Sequence, residues 1–158
     1  MKIKLDPGAY MPTIAYEGDG GFDLYARETQ IVPAKESAIF DTGVHIELPY
    51  FSYDIGLWCG RSKTVGLLKS KSGLNVKHGL TSEGVIDMGY RGSIVVKLFN
   101  HSGYDYKVNK GDKISQLIIV PVVSLLSKAP DKAVVDEMFS SYDTTVTVPV
   151  KKNLGGHK

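Results

Sequence analysis

The chain has 158 residues, 42% of them hydrophobic and 23% charged, which suits one ordinary domain with its own core and excludes a disordered or membrane-embedded chain. Nineteen Lys and Arg against seventeen Asp and Glu leave a net charge of +2, too balanced for a general binder of nucleic acid or anionic membrane. Seventeen Gly and seven Pro lean toward turn-rich β structure. The single cysteine, Cys59, can form no intrachain disulfide and is too little for a zinc site, so nothing calls for an oxidising compartment. No apolar run follows the N-terminal lysines, and the longest apolar run, 117–123, is broken by Pro121 and too short to span a bilayer. The expected address is the cytoplasm.

Strand-like segments recur at short spacing with turn signals between them: 2–5, 22–25, 29–32, 38–41, 44–48, 55–58 and 65–68, then 79–82, 84–87, 93–99, 104–108, 114–122 and 144–150. Alternation is plain over 104–108, whereas 117–120 has none and reads as a strand buried on both faces. A short helix is expected at 72–78, with Ser72 as a candidate N-cap and Gly79 placed for the C′ position; a second is expected at 132–139. The pattern predicts an all-β domain over 1–150 with one or two short helices, followed by a basic, Gly-containing arm at 151–158 that is mobile when nothing is bound.

The residues richest in chemistry lie between Ser70 and Gly92. A Ser72-Gly73 step opening a helix offers free N–H groups and a hydroxyl that suit a phosphate; the plainer alternative is a capping serine. Gly84-Val85-Ile86-Asp87 is an apolar strand ending in a carboxylate, which suits either a general base at a cleft or an Asx turn. Tyr90 is either a platform for a ring or a packed aromatic. Gln116, a polar amide in the most apolar strand, must find hydrogen bonds from a neighbouring backbone group or from a ligand, and Asp23 raises the same question.

Four stretches in this order resemble the motifs of the trimeric dUTPase family: Gly21-Phe22-Asp23-Leu24-Tyr25-Ala26, Ser70-Lys71-Ser72-Gly73-Leu74, Gly84-Val85-Ile86-Asp87-Met88-Gly89-Tyr90-Arg91-Gly92 and Gly111-Asp112-Lys113-Ile114-Ser115-Gln116-Leu117. The resemblance implies a jelly-roll-like distorted β-barrel and Mg²⁺-assisted hydrolysis of dUTP to dUMP and pyrophosphate. It implies that Asp87 activates the attacking water, with Gln116 assisting. Lys71, Ser72, Gly73 and Gln116 would hold phosphates or that water, and Asp23 would act on the metal through water. Gly84, Val85, Ile86, Asp87 and Tyr90 would read the base and sugar. In the family three subunits build each site, so a homotrimer is implied.

Three departures stand out. Lys71 occupies the second motif's usual arginine, keeping the charge without the bidentate fork. The tail lacks the family's arginine and aromatic, leaving Lys151 or Lys152, Leu154 and Gly155 as the closing arm. The stretch 51–64 is longer than in a typical member; Phe51, Tyr53, Trp58 and Arg61 make it either a surface hairpin or the grip for an unknown protein partner. Two other functions share the scaffold. One is a dCTP deaminase, for which Glu83 is the candidate acid, and the other is a dUTP-binding regulatory protein.

Overall fold

The computed structural model describes residues 1–55 and 58–122, and of 53–55 and 58–60 the backbone alone. Strands β1 (Lys2–Leu5), β2 (Phe22–Tyr25), β3 (Gln30–Val32), β4 (Ser37–Asp41), β5 (Val44–Glu47), β6 (Phe51–Ile55) and β7 (Trp58–Ser70) precede the single described helix, α1 (Ser72–His78). Strands β8 (Leu80–Thr81), β9 (Glu83–Ile86), β10 (Val95–Asn100), β11 (Tyr106–Val108) and β12 (Lys113–Val122) follow it. They form four sheets rather than one closed barrel: β1-β5, β4-β10-β8, β11-β3, and a five-stranded sheet in which β12 lies between β2 and β7 while β7 also pairs β6 and β9. Every pairing is antiparallel.

The core follows from the period-2 alternation of these strands. In β10 every second residue is buried, Val96 and Leu98 among them, and they join Leu24, Leu68, Ile86, Ile114 and Leu117 in one apolar cluster. Asn100 ends that buried row with its amide satisfied, Nδ2 donating to the carbonyls of Val32 at 3.0 Å and Tyr104 at 2.7 Å.

Three expectations need correction. The segment 55–58 is not one strand: Ile55 ends β6, Trp58 begins β7 and the two pair with each other, while 56–57 lie outside the described residues. The apolar run after Leu117 is half-buried, not buried on both faces, because β2 accompanies β12 only as far as the Phe22–Leu117 pair. The alternating segment 104–108 is strand only from Tyr106, since the Tyr104 carbonyl is drawn into a turn by Asn100 and by Ser102, whose Oγ donates to it at 3.0 Å. The expected helix at 132–139, the strand at 144–150 and the arm at 151–158 lie outside the described residues.

Candidate active site

The first, second, third and fourth motif stretches fall on four adjacent strands, β2, β7 with the α1 entry, β9 and β12. Gln116 is level with Asp23 on one side and with Lys69 on the other. Asp23 is 1% exposed and its two oxygens are divided between two ammonium groups. Lys71 Nζ donates to Oδ1 at 2.6 Å, Gln116 Nε2 donates to the same oxygen at 3.3 Å, and Lys113 Nζ lies 2.8 Å from Oδ2, off the hydrogen-bonding direction. Burial alone would push this carboxyl up, but Lys113 and Lys71 together outweigh it and hold the pKa below the usual aspartate value. The same pairing raises the pKa of Lys113.

Lys113 was not singled out by sequence reasoning, and its orientation has a local cause. The β2–β12 register shifts between Lys113 and Ser115, a bulge that leaves Ile114 and Ser115 buried in succession. In an unbroken strand Lys113 and Gln116 would face opposite sides; the extra residue turns both onto Asp23.

Buried hydroxyls tie this end of the sheet together. Ser115 Oγ donates to the Lys69 carbonyl at 3.1 Å and lies 2.9 Å from Ser82 Oγ, while the Ser82 N–H donates to Ser70 Oγ at 2.9 Å. The chain therefore leaves β7 at a fixed point and enters α1. The helix N-cap is Lys71, not Ser72, and Lys71 makes no side-chain capping bond. Ser72 is the first helical residue and is exposed, as is Gly73, so the capping alternative for Ser72 does not hold. Gly79 closes the helix as expected, in the left-handed region at φ 67° with its N–H donating to the Asn75 carbonyl at 2.9 Å.

The third motif is built differently. β9 pairs β7 along one edge, with Ile86 opposite Gly66 and Gly84 opposite Leu68, and no strand pairs its other edge among the described residues. Gly84 lets β9 lie close on β7: a Cβ there would sit 2.9 Å from Leu68 Cδ1 and push that methyl aside. Asp87 follows in a turn closed by the Tyr90 N–H, which donates to the Asp87 backbone carbonyl at 2.9 Å. The turn is made by main chain, so the Asx-turn alternative fails: the exposed Asp87 carboxylate has no hydrogen-bond partner among the described residues. Arg91 curls the turn by donating from Nη1 to the carbonyls of Met88 and Tyr90, both at 2.8 Å. Tyr90 is 40% exposed, its hydroxyl donates to the Ser93 carbonyl at 2.8 Å, and its ring lies where a Cβ on Gly92 would be 2.5 Å from Oη.

One chain brings together Asp23, Lys71, Ser72, Gly73 and Gln116, but not these with Asp87 and Tyr90. Lys71 lies five residues beyond the Gly66–Ile86 pair while Asp87 lies past that pair's other side, a separation of roughly 16 Å or more along β7. Each half borders its own open depression. One of about 390 Å³ is lined by Leu74, Tyr106 and Lys113 among others, and one of about 560 Å³ by Met88, Gly89, Arg91, Tyr50 and Lys63 among others. Among the described residues no three His, Cys, Asp or Glu side chains gather as a metal cage.

The dUTPase family profile matches residues 8–142. This chain belongs to the dUTPase family. The deoxyuridine 5'-triphosphate nucleotidohydrolase of Clostridium acetobutylicum is 40% identical over 129 residues, covering 79% of this chain and 81% of that one. The protein of the same name from Mycobacterium marinum is 35% identical over 98% of this chain and 90% of its own. Among solved structures, the dUTPase of Staphylococcus aureus phage phi11 superimposes with a TM-score of 0.68 at 27% identity, over 83% of this chain and 96% of that one. A point mutant of the phage phi11 enzyme, at 26% identity over the same shares and with the same TM-score, was solved for its structural Mg(II) ion.

Within this family member, the hairpin implied by the longer 51–64 stretch is β6–β7. Phe51 is 46% exposed, and Arg61 lies over the Tyr50 ring at 4.2 Å. The side chains of Tyr53 and Trp58 lie outside the described residues. Glu83, the acid on which a deaminase would depend, is taken up by Lys69 at 2.7 Å.

Proposed function

We infer that this chain hydrolyses dUTP to dUMP and pyrophosphate, and the observation that carries the reading is the free Asp87 carboxylate at the end of an edge strand. Asp87 takes a proton from a water as that water's oxygen bonds to the α-phosphorus; the bond from α-phosphorus to the bridging oxygen breaks in line and pyrophosphate leaves. The unpaired edge of Gly84, Val85 and Ile86 offers main-chain donors and acceptors to the uracil edge. A close fit there excludes thymine's methyl and mismatches cytosine's amino group, and the Tyr90 ring against the sugar crowds out a 2′-hydroxyl.

Lys71, Ser72, Gly73 and Gln116 bind the phosphates at the other end of the sheet. Asp23 orients two of these four, because Lys71 and Gln116 both bond it, and the ammonium of Lys71 keeps further donors for a phosphate. Mg²⁺ supplies neutralisation of the triphosphate charge. With no protein cage among the described residues and both Asp23 oxygens engaged, the donor set suits an ion carried on phosphate and water, with Asp23 behind its waters.

The separation of Asp87 from Lys71 supports a site completed between copies, and we infer a homotrimer in which one copy supplies Lys71, Ser72, Gly73 and Gln116 and another supplies Asp87 and Tyr90. Lys152, Leu154 and Gly155 of the segment 151–158 would supply further contacts to the nucleotide. The enzyme works in the cytoplasm; among the described residues no helix is long and apolar enough to cross a membrane.

The test is pyrophosphate release from dUTP with Mg²⁺, beside UTP, dTTP and dCTP, followed by subunit mixing. Turnover of dUTP alone is expected, and Asp87→Asn mixed with Ser72→Ala should recover activity that each lacks. Ammonia from dCTP, or tight dUTP binding without turnover, overturns the hydrolase. Mixing without recovery overturns the shared site.

A further inference from the structure

The turn that carries Asp87 and Tyr90 is strapped to the body of the domain at its far end, and the strap contains a histidine that the reaction does not use. His45 stands on β5. Its Nδ1 lies 2.9 Å from the Arg91 carbonyl, directly after Tyr90. Its Nε2 is closed off from solvent, makes no aligned hydrogen bond, and lies 3.2 Å from Asp6 Oδ1. Both ring nitrogens therefore face acceptors. An imidazolium donates to both, whereas a neutral ring donates to one and turns a lone pair on the other.

We propose that His45 is a positioning residue for dUTP hydrolysis: as the imidazolium it clasps the Arg91 carbonyl and Asp6 together and so holds Tyr90 against the sugar, and on losing its proton it can donate to only one of the two, which loosens that clasp.

The surroundings favour the charged form. Asp6 is fixed by its own N–H, which donates to the Gly43 carbonyl at 2.9 Å. Arg27 lies between Asp6 at 3.6 Å and Asp41 at 3.5 Å and shares both acids with the ring's surroundings. Asp41 is held below the usual aspartate range, first by the Ser93 hydroxyl and then by the Gly43 N–H, and so stays ionised near His45. The ring's partial burial and Lys4, across the β1–β5 ladder, oppose the charge. The balance raises the His45 pKa, through the Arg91 carbonyl first and Asp6 second. A raised value means that the clasp is complete below the ordinary histidine pKa and is lost as pH climbs through the higher one. The Ser93 carbonyl holds the Tyr90 hydroxyl, and the Ser93 hydroxyl donates to Asp41, so Tyr90 is placed by the same few residues.

This inference rests on the reading of Tyr90 as the sugar-facing ring, and its test separates the two. Kinetics for dUTP and UTP are run from about pH 6 to about pH 9 on the wild type, His45→Gln and Asp6→Asn. In the wild type the dUTP-over-UTP ratio of kcat/KM should fall roughly three- to tenfold as His45 deprotonates, through KM for dUTP, with kcat nearly level. The midpoint should match the His45 ring titration read by NMR. His45→Gln should abolish the transition, and Asp6→Asn should move it to lower pH. A wild-type ratio that stays level through the His45 midpoint, or a transition that survives in His45→Gln, overturns the proposal. Should dUTP turnover prove absent, the backbone amide signals of Tyr90, Arg91 and Gly92 still decide it. If they move with the His45 midpoint the clasp stands while the hydrolase reading falls; if they ignore it the clasp is overturned.

Discussion

Two aspartates, Asp23 and Asp87, lie at opposite ends of one sheet and differ in almost every physical respect. Asp23 is buried, paired with two lysines and bonded by Gln116, so its charge is spent on fixing its neighbours. Asp87 is exposed at the end of an edge strand, and its turn is held by main-chain bonds and by Arg91 rather than by its own carboxylate. A carboxylate that must move a proton needs free lone pairs, whereas one that must hold a cationic cluster needs them all occupied. The same residue type thus serves two purposes according to what the fold places around it.

The largest effect should come from removing the free carboxylate. Asp87→Asn should lower kcat about 10²–10⁴-fold with dUTP binding and urea midpoint almost unchanged, measured by pyrophosphate release and titration. Binding lost together with activity would make Asp87 a ligand-holding group and dissolve the contrast.

Removing the occupied carboxylate should instead cost stability. Asp23→Asn leaves two ammonium groups facing a neutral amide and should destabilise the fold by about 3 kcal/mol, the lower end for a broken buried pair because Lys113 keeps contact with water. The pH dependence has a definite sign. With its pKa lowered in the folded state, Asp23 contributes stability fully above the ordinary aspartate pKa and loses it only as pH falls through the lowered value. Urea midpoints near neutrality and in acid should therefore converge for wild type and Asp23→Asn at low pH.

A smaller effect is expected at the turn. Gly92→Ala would place a Cβ 2.5 Å from Tyr90 Oη and 2.7 Å from Cζ, displacing a ring that the Ser93 carbonyl holds. Because the ring is exposed and can swing aside, stability should change by less than about 1 kcal/mol while discrimination against UTP weakens, read by paired kcat/KM values. The smallest change sharpens the other half: Lys71→Arg restores a planar fork able to serve Asp23 and a phosphate together, and should lower KM for dUTP by roughly two- to fivefold.

Much of this architecture is legible before folding. The motif order identifies the family, and the short alternating runs place most strands within a few residues. The left-handed Gly79 ends α1 where the glycine stands in the sequence. The misreadings share a physical origin. At 55–58 the apolar residues belong to the facing ends of two strands, and over 117–120 apolarity stood in for a neighbouring strand that stops at Phe22. Gln116 did need a hydrogen-bond partner, as a polar amide in an apolar strand must, but the partner is a side chain 93 residues away rather than nearby backbone.

Which chemistry is available was already written in the chain: a strand-end acid, a Ser-Gly step before a helix, an aromatic beside glycine, and a lysine where a fork is usual. Those are properties of residue type and local spacing, and they survive in an unfolded chain. Tertiary structure alone decided which acid is free and which is spent, that a bulge aims Lys113 at Asp23, and that His45 reaches the Arg91 carbonyl from another strand. Each of these depends on register between segments distant in sequence, and a shift of one residue would turn the side chain to the other face.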